Sequence, residues 1–163
     1  MRAAIITVST SRSDGRQHDE SGPALERFAV GLGAELAGTE IVPDEQGRIE
    51  SVLKHYADTE MCDLILTTGG TGFAPSDVTP EATRAVIERE APGMAEALRL
   101  ASREHTANWM LSRGTAGIRG RTLIINFPGS PKSIDEAGAA IQSAIPHAVA
   151  LLAETPTAHR DGH

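Results

Sequence analysis

The sequence is short of cysteine, of positive charge and of long apolar runs. Its single cysteine, Cys62, cannot form an internal disulfide, so nothing indicates an oxidising compartment. Its 15 basic residues are outnumbered by 22 acidic ones, and the formal net charge of -7 argues against a nucleic-acid-binding surface. No apolar stretch approaches membrane-spanning length, and the N-terminus lacks a signal-peptide pattern. These absences predict a soluble, cytoplasmic protein that binds neither nucleic acid nor membrane.

Apolar runs alternate along the chain with segments of helical periodicity. The apolar runs predict strands over residues 3–8, 40–42, 64–68 and 121–127. The periodic segments predict helices that begin at Ser21, near Ile49, at Thr79 and at Pro92, and a last helix over residues 133–152. The length of 163 residues fits one domain over residues 1–152, with residues 153–163 as a flexible C-terminal tail.

This alternation indicates βαβ units, and therefore an α/β fold with a mostly parallel central sheet and helices on both faces. Ligands of such sheets bind beyond the carboxyl ends of the strands. The segments that follow the predicted strands are polar or rich in glycine and proline, and they cover residues 9–15, 43–47, 69–75 and 128–131. We therefore expect the ligand site to be built from these four loops.

The stretch TTGGTG, residues 67–72, has three glycines directly after an apolar run. It lacks the lysine of a Walker A loop and the third glycine of the dinucleotide fingerprint. What remains is a run of little-covered backbone N–H groups from Gly69 to Gly72, with the Thr71 hydroxyl beside them. Successive N–H groups of this kind form concave anion sites. The alternative is a tight turn in which the glycines only permit a positive φ.

Two aspartates stand in corresponding positions after neighbouring strands. Asp44 follows the second strand, and Asp77 follows the glycine loop, just before the helix for which Thr79 is the expected capping residue. Two carboxylates at one sheet edge suit a Mg²⁺-assisted phosphoryl or nucleotidyl transfer, because Mg²⁺ takes one or two carboxylates and fills its shell with water and phosphate. The alternative for Asp77 is an interaction with the helix N-terminus.

Seven short segments stand out along the chain: DESGP at 19–23, VPDE at 42–45, LTTGGTG at 66–72, DVTPEA at 77–82, APGM at 91–94, LSR at 111–113 and NFPGSP at 126–131. Taken together, these segments resemble the MogA/MoaB family of molybdenum-cofactor biosynthesis proteins, whose fold is shared with the G domain of gephyrin. They run in family order, and the resemblance extends up to about residue 152. TTGGTG followed by DVTPEA is the most specific part of this resemblance.

The resemblance implies a three-layer α/β/α fold, a homotrimer, and adenylylation of molybdopterin by ATP with Mg²⁺, giving adenylylated molybdopterin and pyrophosphate. It implies catalytic and metal-binding roles for Asp44 and Asp77. It also implies a ligand-binding role for three further groups of residues: the glycine loop (Gly69, Gly70, Thr71 and Gly72), Ser112, and the loop formed by Pro128, Gly129, Ser130 and Pro131. Handover of the product to a molybdenum-insertion protein is a further implication.

Arg113, beside Ser112, is a candidate phosphate ligand, and a solvated surface position is its alternative. The chain passes from Pro131 straight into its last helix, as in the shorter MoaB-like members. Two other functions therefore stay open beside the adenylyltransferase. One is a non-enzymatic pterin- or nucleotide-binding trimer, and the other is a related nucleotide phosphotransferase or hydrolase.

Overall fold

The structure is a computed structural model that describes residues 1–154. The expected C-terminal tail lies outside the described residues from position 155 onward. Within residues 1–154, no helix combines the length and the apolar character needed to cross a bilayer.

Six strands form one sheet in the order β2-β1-β3-β6-β5-β4. In chain order they are β1 (Arg2–Val8), β2 (Glu35–Val42), β3 (Leu64–Thr68), β4 (Arg89–Glu90), β5 (Ala116–Arg119) and β6 (Thr122–Phe127). Strands β2, β1, β3 and β6 run parallel, whereas β5 and β4 continue the sheet in antiparallel fashion. This confirms the predicted α/β fold with a mostly parallel sheet.

Seven α-helices flank the sheet in the described part of the chain: α1 (Thr10–Ser13), α2 (Ser21–Gly31), α3 (Gln46–Lys54), α4 (Thr79–Val86), α5 (Pro92–Ser102), α6 (Pro131–Gly138) and α7 (Ala144–Ala153). A π-helical turn, His55–Thr59, extends α3, and a 3-10 turn, Trp109–Leu111, precedes β5. Apolar residues from α2, α5, α6 and α7 pack on one face of the sheet, and those from α3 and α4 pack on the other. The result is a three-layer α/β/α arrangement.

The central strands are buried along nearly their whole length because helices cover both faces. Every residue of β3 and β6 is buried, as is β1 from Ala3 onward. Continuous apolar runs are typical of parallel strands in this position, which is why these three strands were predictable. Asn126 is buried in β6, and its side-chain amide donates to the hydroxyls of Thr67 and Thr83, 3.0 Å each.

The single last helix predicted over residues 133–152 is wrong. The chain instead forms α6 and α7, separated by a turn over residues 139–143. Pro146 lies in the first turn of α7, where its missing N–H costs no helical hydrogen bond. In one continuous helix the same proline would remove a bond to the carbonyl of Gln142 and collide with it.

The fold places the candidate loops at one edge of the sheet. Strand β1 has β2 as its neighbour on one side and β3 as its neighbour on the other. A crevice opens beyond the carboxyl ends of two such strands, because their connections leave in opposite directions. The segments after β1, β2, β3 and β6 therefore meet at this edge.

Candidate active site

The glycine loop begins with two residues that need glycine. Gly69 and Gly70 have φ angles of +92° and +66°, in the left-handed region. A Cβ atom at Gly69 would collide with the carbonyl oxygen of Val8, and one at Gly70 would collide with the Thr79 hydroxyl. The close approach of β1 and of α4 thus fixes the loop backbone, and a side chain at either position displaces it.

Thr79 holds this loop against the start of α4. Its backbone N–H donates to the carbonyl oxygen of Gly70 at 3.1 Å, and its buried hydroxyl donates to the carbonyl oxygen of Gly69 at 2.9 Å. The prediction that Thr79 caps the helix is wrong, because α4 begins at Thr79 and its N-cap is Val78, without a side-chain cap. The Thr79 hydroxyl instead stabilises the glycine loop, because it donates to the buried carbonyl oxygen of Gly69.

Three consecutive amide groups of this loop are unpaired within the protein. Within residues 1–154, the backbone N–H groups of Gly70, Thr71 and Gly72 donate no hydrogen bond to another protein atom. Consecutive free N–H groups attract an anion because each carries a partial positive charge that the protein leaves unpaired. This favours the interpretation of TTGGTG as an anion-binding loop. The alternative, a turn whose glycines have no ligand role, is less well supported.

Asp44 lies beside the loop, held by the N-terminus of α1. Its Oδ2 accepts hydrogen bonds from the backbone N–H and the hydroxyl of Thr10, at 2.9 and 3.1 Å. Its Oδ1 has no hydrogen-bond partner among residues 1–154 and lies 3.3 Å from the point that a Cβ at Gly70 would occupy. One oxygen orients the carboxylate, and the other faces the glycine loop.

Asp77 lies at the other end of the loop. Its Oδ2 accepts a hydrogen bond from the backbone N–H of Ala74 at 3.0 Å, and lies 2.8 Å from the Cβ position of Gly72. Its Oδ1 has no partner in the described part of the chain. The carboxylate closes a turn over residues 74–77, and within residues 1–154 it accepts no hydrogen bond from the first turn of α4.

Asp44 and Asp77 are the side chains that could supply carboxylate ligands to a Mg²⁺ ion beside the glycine loop. They flank Gly70 and Gly72, with an oxygen of each free of protein donors. Residues 1–154 contain no group of three or more acidic, histidine or cysteine side chains that could hold a metal ion by themselves. Mg²⁺ commonly takes one or two carboxylates and completes its octahedron with water and substrate phosphate. A Mg²⁺ ion at these two carboxylates would therefore need most of its ligands from water or from a substrate phosphate.

The loop after β6 packs against the glycine loop. The Thr68 hydroxyl donates to the carbonyl oxygen of Pro128 at 2.6 Å, and the Cβ position of Gly129 lies 3.5 Å from the Cα of Gly69. The Ser21 hydroxyl donates to the carbonyl oxygen of Gly129 at 2.8 Å. Asp19 in turn accepts from the Ser21 backbone N–H at 3.1 Å. The first residue of α2, Ser21, thus holds the loop after β6 in place.

The second half of the same loop begins a helix. The Ser130 side chain is the N-cap of α6 and accepts from the backbone N–H of Ser133 at 3.1 Å, while Pro131 is the first residue of that helix. The Ser130 hydroxyl also donates to the Ser133 hydroxyl at 2.6 Å. The structure therefore brings Pro128 and Gly129 against the glycine loop and gives Ser130 and Pro131 helix-starting contacts.

Ser112 lines a cavity of about 110 Å³ on the β6 side of the glycine loop. Its hydroxyl accepts a hydrogen bond from the backbone N–H of Gly114 at 3.3 Å. Pro128 lines the same cavity, together with three residues that sequence reasoning missed: Arg99, Trp109 and Asn126. Arg99 donates to the carbonyl oxygen of Gly114 at 2.6 Å. Arg99 and Trp109 belong to no local pattern, and Asn126 belongs to the NFPGSP segment but was given no role of its own, so only the fold reveals that the three meet.

Arg113 is half-buried, and its guanidinium is bound by the protein. Its Nε donates to the carbonyl oxygen of Gly72 at 2.8 Å, and Nη2 donates to that of Asp77 at 2.7 Å. Nη1 pairs with the carboxylate of Glu81, and this hydrogen bond lowers the pKa of the Glu81 carboxyl. The alternative of a solvated surface arginine is therefore wrong.

The fold and the site define a class of protein: a three-layer α/β protein that presents free backbone amides and two carboxylates at the carboxyl edge of a parallel sheet. A family model described as "Probable molybdopterin binding domain" matches residues 4–147. The chain therefore belongs to this family, which confirms the resemblance seen in its motifs.

Individual relatives agree with this assignment. The molybdopterin adenylyltransferase of Helicobacter pylori strain J99 is 42% identical over 153 residues, which cover 91% of this chain and 85% of that protein. The molybdenum cofactor synthesis protein cinnamon of Drosophila melanogaster is 42% identical over 98% of this chain, but the match spans only 27% of its own length. The crystal structure of the molybdopterin biosynthesis enzyme MoaB of Thermus thermophilus has a TM-score of 0.88 and 48% identity, covering 95% of this chain and 98% of that chain.

Proposed function

We propose that this protein is a molybdopterin adenylyltransferase of molybdenum cofactor biosynthesis. It transfers the adenylyl group of ATP to the terminal phosphate of molybdopterin and releases pyrophosphate. The observation that carries the proposal is the row of free N–H groups at Gly70, Thr71 and Gly72, flanked by the carboxylates of Asp44 and Asp77. The relative named molybdopterin adenylyltransferase, matched over most of its length, supports the same activity.

The reaction needs alignment and charge neutralisation more than covalent catalysis. A phosphate oxygen of molybdopterin forms a bond to the α-phosphorus of ATP, the bond from that phosphorus to the bridging oxygen breaks, and the electron pair leaves with pyrophosphate. Asp44 and Asp77 would hold Mg²⁺, which neutralises charge on the phosphate oxygens when bound. No protein nucleophile takes part, so a site without a reactive cysteine or histidine is sufficient.

The chain's own residues bind and align the two substrates. The amides of the glycine loop donate to phosphate oxygens and substitute for the lysine of a Walker loop. The cavity at Ser112 takes the pterin, because Trp109 and Pro128 give it apolar walls while Ser112 and Arg99 supply polar groups. Pro128 and Gly129 lie between this cavity and the glycine loop. They therefore connect the pterin-binding part of the site to the part that binds the ATP phosphates.

The test is incubation of the protein with molybdopterin, Mg²⁺ and ATP labelled at the α-phosphate. We expect label in the pterin, together with one pyrophosphate for each adenylylated molecule. Binding of both ligands without labelled pterin would instead favour the non-enzymatic binding trimer. Conversion of the labelled ATP in the absence of molybdopterin would favour the phosphotransferase or hydrolase.

The proposal includes a homotrimer in the cytoplasm, with residues 1–152 acting as a single molybdopterin-binding domain that contacts neither nucleic acid nor membrane. Helix α7 supports an assembly, because its residues are mostly apolar yet only Ile145 is buried and Leu151 is 52% exposed. Light scattering during size-exclusion chromatography tests the trimer. The product would pass to a molybdenum-insertion protein, which a coupled assay for inserted molybdenum tests.

A further inference from the structure

The segment from Thr71 to Asp77 connects the glycine loop to the second carboxylate, and it is poorly anchored. Its middle residues, 73–76, are all exposed, and Phe73 is 67% exposed. Its internal bonds are confined to the turn in which Ala74 and Asp77 contact each other. Such a segment has little packing to fix its conformation, so its position depends on its few bonds to the rest of the protein.

All of those bonds come from one residue. Within residues 1–154, every hydrogen bond between residues 71–77 and the rest of the chain is made by Arg113. Its backbone N–H donates to the carbonyl oxygen of Thr71 at 2.7 Å, and its guanidinium donates to those of Gly72 and Asp77. The guanidinium therefore joins Gly72 to Asp77, and the backbone N–H of the same residue holds Thr71.

The charge of Arg113 is matched by Glu81 on α4. This pair connects the guanidinium to a helix packed on the sheet, while its remaining bonds reach the exposed segment. A guanidinium offers rigid, diverging donors, whereas a lysine ammonium offers a single point of attachment on a flexible stem. Lysine at this position would keep the charge but not the simultaneous contacts to Gly72, Asp77 and Glu81.

We propose that Arg113 is a positioning residue, which sets the distance between the free amides of the glycine loop and the carboxylate of Asp77. It acts through these groups, and its catalytic consequence rests on the proposed adenylyltransferase function. Positioning residues of this kind behind a metal-binding carboxylate typically change metal affinity or activity by about 10- to 100-fold when altered.

The test compares Arg113→Lys with Arg119→Lys as a matched control. Arg119 also bonds a carboxylate, that of Asp58, at 2.9 and 2.8 Å, and a backbone carbonyl, that of Val86, at 2.9 Å. It lies on β5, away from the glycine loop. We expect the backbone amides of Ala74 and Asp77 to exchange hydrogen faster in Arg113→Lys only, while the core amides of β3 keep wild-type protection.

In the adenylylation assay, Arg113→Lys should lower kcat by about tenfold or more, with the KM for molybdopterin close to wild type. Added guanidinium ion should restore part of the kcat of Arg113→Ala and none of the kcat of Asp77→Asn. Wild-type exchange and wild-type kcat in Arg113→Lys would overturn the proposal, as would equal losses in Arg119→Lys. If the wild-type protein makes no adenylylated product, the proposed function fails, and the exchange comparison alone still decides the role of Arg113.

Discussion

The buried hydroxyl of Thr79 donates a hydrogen bond of 2.9 Å to the carbonyl oxygen of Gly69. This contact joins the first residue of α4 to the first residue of the glycine loop, ten positions earlier. Because Gly69 also lies against the carbonyl of Val8, the loop is held between β1 and α4. The start of the glycine loop therefore has a fixed backbone before any ligand arrives.

Replacing Thr79 by valine should destabilise the protein, because it leaves the Gly69 carbonyl without its donor in a buried place. We expect a loss of about 1–3 kcal/mol in the free energy of unfolding, measured by urea denaturation. Thr79→Ser is the control, since serine keeps the hydroxyl and should retain most of the stability. Equal stability of the valine and serine variants would show that this bond is not what holds the loop.

Replacing Gly70 by alanine should disturb the loop more directly. A side chain at φ +66° costs about 1–2 kcal/mol, and its Cβ also displaces the Thr79 hydroxyl. We expect lower stability and weaker ATP binding, measured by calorimetry. Gly31→Ala is the control, because Gly31 ends α2 in open space and alanine favours a helix. Unchanged ATP affinity in Gly70→Ala would contradict the anion-binding role of the loop.

Trp109, the only tryptophan of the chain, should report on pterin binding because it lines the cavity with Ser112. We expect molybdopterin to quench its fluorescence, and Ser112→Ala to shift the titration to higher pterin concentration. Trp109→Phe gives the background signal. Quenching that is identical in wild type and Ser112→Ala would place the pterin away from Ser112.

Tyr56, the only tyrosine, should make stability depend on pH in the alkaline range. Burial, together with its hydrogen bond of 2.9 Å to Glu40, raises the pKa of Tyr56 to about 12. The unfolded tyrosine titrates near about pH 10. As the pH rises, the unfolded tyrosine therefore loses its proton before the native one does. The stabilisation from protonated Tyr56 is fully present below about pH 10 and is lost as the pH rises through about 12.

Near-ultraviolet absorbance of tyrosinate measures this titration directly. We expect a native midpoint well above that of the urea-unfolded chain. The Glu40→Gln variant should titrate at a lower pH than the wild type, because it removes the neighbouring negative charge. Coincident native and unfolded midpoints would contradict the assignment.

The parts of the fold that sequence predicted are those whose pattern is set by burial. Strands β1, β3 and β6 are continuous apolar runs, and Pro80 and Pro92 mark the starts of α4 and α5. Strands β4 and β5 were missed because Arg89 and Glu90 are exposed and charged, and the other strand is short and contains glycine. Backbone pairing with a neighbour, which leaves no side-chain pattern, is what defines them.

The site divides in the same way. The glycine loop, Asp44 and Asp77 all follow predicted strands. Because ligand sites in parallel sheets lie at the carboxyl ends of the strands, the sequence was enough to predict that they share one edge. The role of Arg113 was not predictable, because its partners Gly72, Asp77 and Glu81 lie 41, 36 and 32 positions earlier in the chain. Only the path of the chain brings such distant groups together.

Adenylyl transfer, as we propose it, depends on Asp44 and Asp77 beside the glycine loop. The most direct measurement is the rate at which α-labelled ATP labels molybdopterin in wild type, Asp44→Asn, Asp77→Asn and Asp135→Asn. Asp135 is an exposed carboxylate on α6 and serves as the control. We predict that product formation is retained in wild type and Asp135→Asn and is abolished in the two site variants, while all four proteins remain folded. Undiminished labelling in Asp44→Asn and Asp77→Asn would contradict the account.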